Sequence, residues 1–232
     1  MEKLNEIKVI AFDADDTLWA NETYFRIAEE RFCEMMRRFM PPDEVRKRLY
    51  KIEMQNMELY GYGAKAFTLS LMEAALSFSK GGVSPETMAE ILTIGREIID
   101  HPIELLDEVE ELLSKLKKHY RLLVVTKGDL LEQERKLVKS GLVAYFDHIE
   151  ILSDKTESNY RRLFDYLTIT PAEFLMVGNS LRSDILPVVK IGGKAVYVPC
   201  STTWLHEVVE IEPAFSFYEI VKLSQLAELL AI

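Results

Sequence analysis

The chain has 232 residues, 48% of them hydrophobic and 28% charged, and a formal net charge of -10. That much apolar material builds a sizeable core, and the length exceeds one ordinary domain, so a domain carrying a substantial insert is expected. The acidic balance and the scattered Lys and Arg exclude broad electrostatic binding of nucleic acid, which needs a concentrated basic surface, and suit a cationic partner such as a metal ion.

The first predicted element is a strand over Ile7–Phe12, an apolar run that ends in the stretch DADDT, with Asp13, Asp15, Asp16 and Thr17. Three carboxylates in four positions repel one another unless they face something positive. After Trp19 the strand signal stops until about His101. This stretch reads as helices near Glu22–Phe39, stopped by Pro41-Pro42, near Asp43–Tyr60, near Ala64–Ser79, and one opened by Ser84-Pro85. About eighty residues of helix is too much for a connection, so residues 19–101 are expected to form a helical cap domain inserted into a core made of 1–18 and 102–232. Hinges are expected at Trp19–Asn21 and Asp100–Pro102.

Within this insert, the methionines of FCEMMRRFM are read as core filling. The run YGYGAKAF, Tyr60–Phe67, has two readings: a loop whose Tyr62 and Lys65 contact substrate, or a plain helix-helix turn. Glu22, Tyr24 and Arg26 either line a cleft or form ordinary helix faces.

A helix is expected between Glu104 and His119, with Leu106, Val109, Leu113 and Leu116 as its apolar stripe, acids at its start and lysines at its end. A second strand follows, Arg121–Thr126, and then a helix with Asp129 at its N-cap and Gly141 beyond its end. The third strand is His148–Leu152. Tyr160, Leu163, Phe164 and Leu167 recur at helical spacing, and TPAE, Thr170–Glu173, reads as a capping box. Strands Phe174–Gly178 and Ala195–Val198 come next, then a terminal helix capped by Ser224. Short β-branched runs alternating with helices define an α/β protein with a Rossmann-like, doubly wound parallel sheet.

In such a sheet ligands bind beyond the carboxyl ends of the strands. Those ends carry Asp13, Asp15 and Thr17, then Thr126-Lys127-Gly128, then Lys155, then Gly178-Asn179-Ser180 and Asp184. Carboxylates, a hydroxyl and an ammonium converging on one crevice suit a divalent cation together with a phosphate. Trp204, in PCSTTWLHE after the fifth strand, either walls the site or packs as a core aromatic. Cys33 and Cys200 stand far apart, without zinc or disulfide spacing, and are expected reduced and buried; the four His show no ligand spacing. The start MEKLNEIKVIAF lacks the marks of a signal peptide and no window reaches membrane-spanning length, so a cytoplasmic location away from membranes is expected.

The order DADDT, a strand-closing Thr126, Lys155 and GNSLRSD resembles the four motifs of the haloacid dehalogenase-like hydrolase superfamily, with the insert at the place of its C1-type cap. The resemblance implies a Mg²⁺-dependent phosphatase that hydrolyses a small phosphorylated metabolite as a monomer or dimer. Asp13 would be the nucleophile of an aspartyl-phosphate, and Asp15 the general acid and base, its pKa raised by its acidic neighbours. Thr126 and Lys155 would hold the phosphoryl group, and Asp13, Asp15 through its main-chain carbonyl, and Asn179 or Asp184 the Mg²⁺; Lys127 is either a surface residue or a substrate contact at the entrance. Asp16 is read instead as a helix-start or solvated acid. Asn179 departs from the pattern, which has an acid there, and removes one charge from the metal site. The alternatives are a phosphomutase or dehalogenase of the same superfamily, a phospho-accepting receiver, and a non-catalytic binding protein. A dehalogenase has no leaving oxygen to protonate and a receiver is much shorter, so phosphatase chemistry is preferred.

Overall fold

The computed structural model describes residue 4, residues 6–200 and residues 215–232. Trp204 therefore lies outside the described residues. The chain divides into two compact units: Met1–Glu22, Ile103–Lys127 and Gln133–Ile232 form the first, and Thr23–Pro102 with Gly128–Glu132 the second.

Among the described residues the first unit is built on six parallel strands: β1 Val9–Phe12, β2 Arg121–Lys127, β3 His148–Leu152, β4 Phe174–Gly178, β5 Lys194–Tyr197 and β6 Tyr218–Glu219. Their spatial order is β3-β2-β1-β4-β5-β6, so β1 is central and the order reverses across it. Every residue of β1 and β4 is buried, because helices cover both faces and leave apolar side chains no polar side to alternate with. On one face Ile10, Phe12, Leu122, Val124, Leu175 and Val177 pack with the stripe of α5 (Val109–Leu116). On the other, Val9, Ala11, Leu123, Val125, Phe174 and Met176 meet Tyr160, Leu163, Phe164 and Leu167 of α7 (Glu157–Leu167). The expected spacing in α7 thus buries the whole stripe, and Thr156 caps it by accepting from Asn159 N.

Several boundaries differ from expectation for local reasons. Helix α5 begins at Val109, not Glu104, because Leu105 pairs with Trp19 in a β-bridge and Leu106 N donates to Leu18 O. Leu106 is consequently exposed, and Leu112 takes its place in the stripe. The TPAE capping box forms, but it closes only a 3-10 turn. Ser224 stands before α9 (Gln225–Leu229) without a side-chain cap; Gln225 Oε1 instead accepts from Val221 N and Lys222 N. Strand β6, two residues long, carries no pattern that could announce it. Cys33 is buried as expected, whereas Cys200 is half-buried; neither forms a disulfide among the described residues.

The second unit contains four helices: α1 Glu22–Met36, whose first residue belongs to the first unit, α2 Pro42–Tyr60, α3 Ala64–Phe78 and α4 Pro85–Asp100. Their punctuation follows the sequence: Pro at the first helical position of α2 and α4, Ser84 accepting from Thr87 N, and Gly61 and Gly63 at positive φ between α2 and α3. Phe32, Met36, Leu49, Leu71, Ile91 and Ile94 form its core, with Met35 and Met40 packed against it. No helix among the described residues is long and apolar enough to cross a membrane.

Candidate active site

The site residues of the first unit emerge from the carboxyl ends of β1, β2, β3 and β4. Asp13 follows β1 directly and is fixed by its own N–H, which donates to Val177 O at 2.9 Å. Lys155 follows β3 and immediately precedes the N-cap of α7. Its Nζ donates to Asp13 Oδ1 at 2.5 Å and to Asp184 Oδ1 at 2.6 Å, and all three side chains are buried. A buried ammonium between two buried carboxylates is tenable only because each charge has a partner. Burial raises the pKa of Asp13 and takes that of Asp184 to about 7, while Lys155, against the same burial, is held firmly protonated by the two carboxylates.

Asp184 is seated by a close approach to β4. Its Oδ2 accepts from Ser180 N at 3.0 Å, and a Cβ on Gly178 would stand 2.3 Å from that oxygen, so only glycine fits there. Residues Leu181–Ile185 form a wide π-helical turn, with Ser180 capping it through Ser183 N. Thr17 ties in the remaining strand-four residue: its Oγ1 lies 3.1 Å from Asp13 Oδ2 and 3.3 Å from Asn179 Oδ1.

Asp15 sits in a different environment. Trp19 Nε1 donates to Oδ1 at 2.7 Å, Gln133 Nε2 to Oδ2 at 3.0 Å, and Lys136 Nζ lies 3.0 Å from each oxygen. Burial pushes the Asp15 pKa up, but the Lys136 charge and these hydrogen bonds outweigh it and hold the carboxyl below its usual value. This corrects the expectation of a raised pKa: the acidic neighbours matter less than a lysine and an amide 121 and 118 residues away in sequence. Asp16 is a helix-start acid as expected. At φ 60 its carboxylate accepts from Asn21 N and Glu22 N at the head of α1, and burial, opposed by those bonds, takes its pKa to about 6.

Thr126, at the end of β2, is buried and its Oγ1 receives Gln133 Nε2 at 3.1 Å. Lys127 donates to Ser183 Oγ at 2.8 Å. Tyr62 and Lys65 belong to the second unit: within YGYGAKAF residues 61–63 form the turn between α2 and α3, and Lys65, in the first turn of α3, pairs with Asp129 at 2.7 Å. Tyr24 is stacked on His101 with ring centres 3.8 Å apart. The structure thus groups Asp13, Lys155 and Asp184, with Asn179 reached through Thr17, and Asp15 with Thr126 through Gln133. Gln133 and Lys136 are residues that strand-end motifs do not reveal. The one signal for them is that Gln133, Lys136, Leu137 and Ser140 recur at helical spacing, a stripe with polar members where an apolar one is expected.

Several comparisons bear on this geometry. A family model described as haloacid dehalogenase-like hydrolase matches residues 7–192. A solved haloacid dehalogenase-like family hydrolase from Xanthomonas campestris superposes with a TM-score of 0.86 at 33% identity, covering 97% of this chain and 93% of that one. Among curated proteins, N-acylneuraminate-9-phosphatase of Mus musculus is 31% identical over 142 residues, 58% of this chain and 54% of the relative. The match thus spans about half the length of that relative. Glyceraldehyde 3-phosphate phosphatase of Pyrococcus furiosus is 25% identical over 236 residues, 98% of this chain and 94% of the relative. Fold, strand-end residues and a family match running from β1 to beyond α7 agree, and the chain belongs to the haloacid dehalogenase-like hydrolases.

Proposed function

We propose that the protein is a Mg²⁺-dependent phosphatase that hydrolyses a small phosphorylated metabolite through an aspartyl-phosphate on Asp13. The observation that carries this reading is the buried Asp13–Lys155–Asp184 triad beyond the carboxyl ends of β1, β3 and β4, which sets a carboxylate beside a fixed positive charge. Both similar curated proteins named above are phosphatases of small phosphorylated compounds by name, which supports the same class.

In this reading Lys155 and Thr126 bind the phosphoryl oxygens and orient the phosphorus toward an Asp13 oxygen. Asp13 displaces the leaving oxygen, and water then attacks the acyl phosphate and frees inorganic phosphate and the carboxylate. Asp15, kept ionised by Lys136, is well prepared as the general base that takes a proton from that water. To serve the leaving oxygen as an acid it must first acquire a proton, so its surroundings favour the second step over the first.

Among the described residues no group of three or more His, Cys, Asp or Glu side chains is arranged to hold a metal ion. The donor chemistry nevertheless fits Mg²⁺, which takes hard oxygen ligands and keeps several waters. Asp13 Oδ2 and Asn179 Oδ1 converge on the Thr17 hydroxyl, and Asp184 stands on the other side of Lys155. Asp13, Asn179, Asp184 and the main-chain carbonyl of Asp15 would hold the ion. When bound, it supplies positive charge that offsets repulsion between the Asp13 carboxylate and an anionic phosphate. We further propose that residues 19–101 act as the cap and that Tyr62 and Lys65 contribute to substrate choice.

Repeated phosphate release from p-nitrophenyl phosphate in the presence of Mg²⁺ tests the reading, followed by a panel of sugar phosphates, nucleoside monophosphates and phospho-acids. A receiver stops near one equivalent and a binding protein releases none. Undiminished hydrolysis by Asp13→Ala would overturn it.

A further inference from the structure

Helix α6 (Leu130–Ser140) is inside out. Its buried residues are Glu132, Gln133, Lys136, Leu137 and Ser140, whereas Leu130, Leu131 and Val138 are 59%, 49% and 73% exposed. Burying an amide and an ammonium while leaving three apolar side chains in water forfeits hydrophobic stabilisation and adds desolvation cost. Such a choice against local stability is expected where a site requires it.

The two inward polar groups one turn apart both end on Asp15. Lys136 uses its ammonium on both Asp15 oxygens and on Asn21 Oδ1 at 2.7 Å. Gln133 Nε2 lies 3.0 Å from Asp15 Oδ2, 3.1 Å from Thr126 Oγ1 and 2.8 Å from Lys127 O. A carboxylate and a carbonyl around that nitrogen fix the amide's orientation, since the flipped form would set oxygen against both. Gln133 Oε1, buried, has no hydrogen-bond partner among the described residues. The side chain is therefore held in place by its nitrogen alone, a costly arrangement for a residue whose role is only to fill space.

We propose that Gln133 and Lys136 are positioning residues, a two-point clamp that fixes the Asp15 carboxylate and ties it to the phosphate-binding Thr126. The proposal rests on the phosphatase reading above. A carboxylate on a short strand-end loop has two free torsions. Four hydrogen bonds from three side chains remove that freedom, and Gln133 makes the acid-base group and the phosphoryl-binding hydroxyl move as one.

The test is a set of kinetic measurements on p-nitrophenyl phosphate, whose leaving group needs little protonation; the slow turnover left in Asp15→Asn, which lacks the base of the second step, is read from long incubations at high enzyme concentration. Lys136→Met is expected to lower kcat about tenfold or more with KM changed less than about threefold. Lys136→Arg is expected to regain part of that loss. In an Asp15→Asn background Lys136→Met is expected to cost nothing further, because it has no carboxylate left to position. Should Lys136→Met fail to fold, Gln133→Leu, alone and in the Asp15→Asn background, answers the first and third of these questions. Wild-type kcat in the single variant, or an equal loss with and without the Asp15 carboxylate, overturns the proposal. A wild type that releases no phosphate removes the phosphatase reading and this proposal with it, an outcome distinct from an active enzyme indifferent to Lys136.

Discussion

The Glu132 carboxylate accepts a hydrogen bond from the main-chain N–H of Ala64 at 2.9 Å, with both residues buried. Ala64 opens α3, whose N-cap position is held by Gly63 without any side chain to satisfy the first N–H groups. Glu132 does from outside the helix what an N-cap side chain does from within, and its negative charge lies at the positive end of the helix dipole. Gly63 permits this because it has φ 102 and because a Cβ there would stand 2.8 Å from Glu132 Oε2. Glu132→Ala is expected to destabilise the protein by about 1–2 kcal/mol, as loss of a cap does. Gly63→Ala, which adds backbone strain to the clash, is expected to cost about 1–3 kcal/mol. Urea denaturation measures both; two variants as stable as the wild type would remove Glu132 from this role.

Lys155 is expected to be irreplaceable for stability as well as for phosphate binding. Lys155→Met keeps much of the length of the side chain but leaves the Asp13 and Asp184 carboxylates buried and facing each other. Breaking a buried pair in this way costs about 3–5 kcal/mol. Gly178→Ala should act on the same cluster by displacing Asp184, whose Oδ2 lies 2.3 Å from where the new methyl would stand. The expected result is lower stability in both variants and phosphate release reduced at least about a hundredfold, since the nucleophile's surroundings are disturbed. An active, stable Gly178→Ala enzyme would show that Asp184 can be moved without consequence.

The parts of this structure that were legible in the sequence are those whose causes are local. Five of the six strands lie within two residues of expectation, because an apolar β-branched run fully buried by helices on both faces has few other fates. The helices from α1 to α4 were bounded by Pro41-Pro42, Gly61, Gly63 and Ser84-Pro85, each acting within one turn. The strand-end rule brought Asp13, Lys155 and Asp184 together across 142 and 29 residues of sequence. What escaped is set by tertiary contacts between residues distant in sequence. Leu105 and Leu106 look helical but spend their backbone groups on Trp19 and Leu18. The charge balance at Asp15 is not visible locally, because its neighbours in sequence are acids while the attraction comes from a lysine on α6.

Asn179 gives a prediction about the metal. An amide oxygen ligates Mg²⁺, but affinity for a hard cation rises with the charge of its ligands. Asn179→Asp is therefore expected to bind Mg²⁺ more tightly than the wild type, by about tenfold, or about 1.4 kcal/mol. Isothermal titration with MgCl₂ reads this directly and needs no substrate. Equal or weaker binding by the variant would mean that position 179 does not face the ion.

Glu53, on α2, supplies a pH dependence that is independent of catalysis. The side chain is half-buried, and burial together with the nearby Glu29 carboxylate raises its pKa to about 7; Glu29 itself pairs with Arg46 at 2.8 Å. In the unfolded chain the same group titrates near the ordinary value of about 4.3. The folded state therefore binds the proton more tightly, and the stability this contributes is complete below about pH 4 and lost as pH rises through 7. Glu53→Gln is neutral throughout and escapes the loss. The two proteins are expected to be about equally stable at pH 4, with the variant ahead by about 1–2 kcal/mol at pH 8, the figure being reduced because part of the carboxylate meets water. Melting temperatures of both proteins across this range measure the gap. A difference that stays constant from pH 4 to pH 8 would show that Glu53 ionises in the folded protein as it does in the unfolded chain.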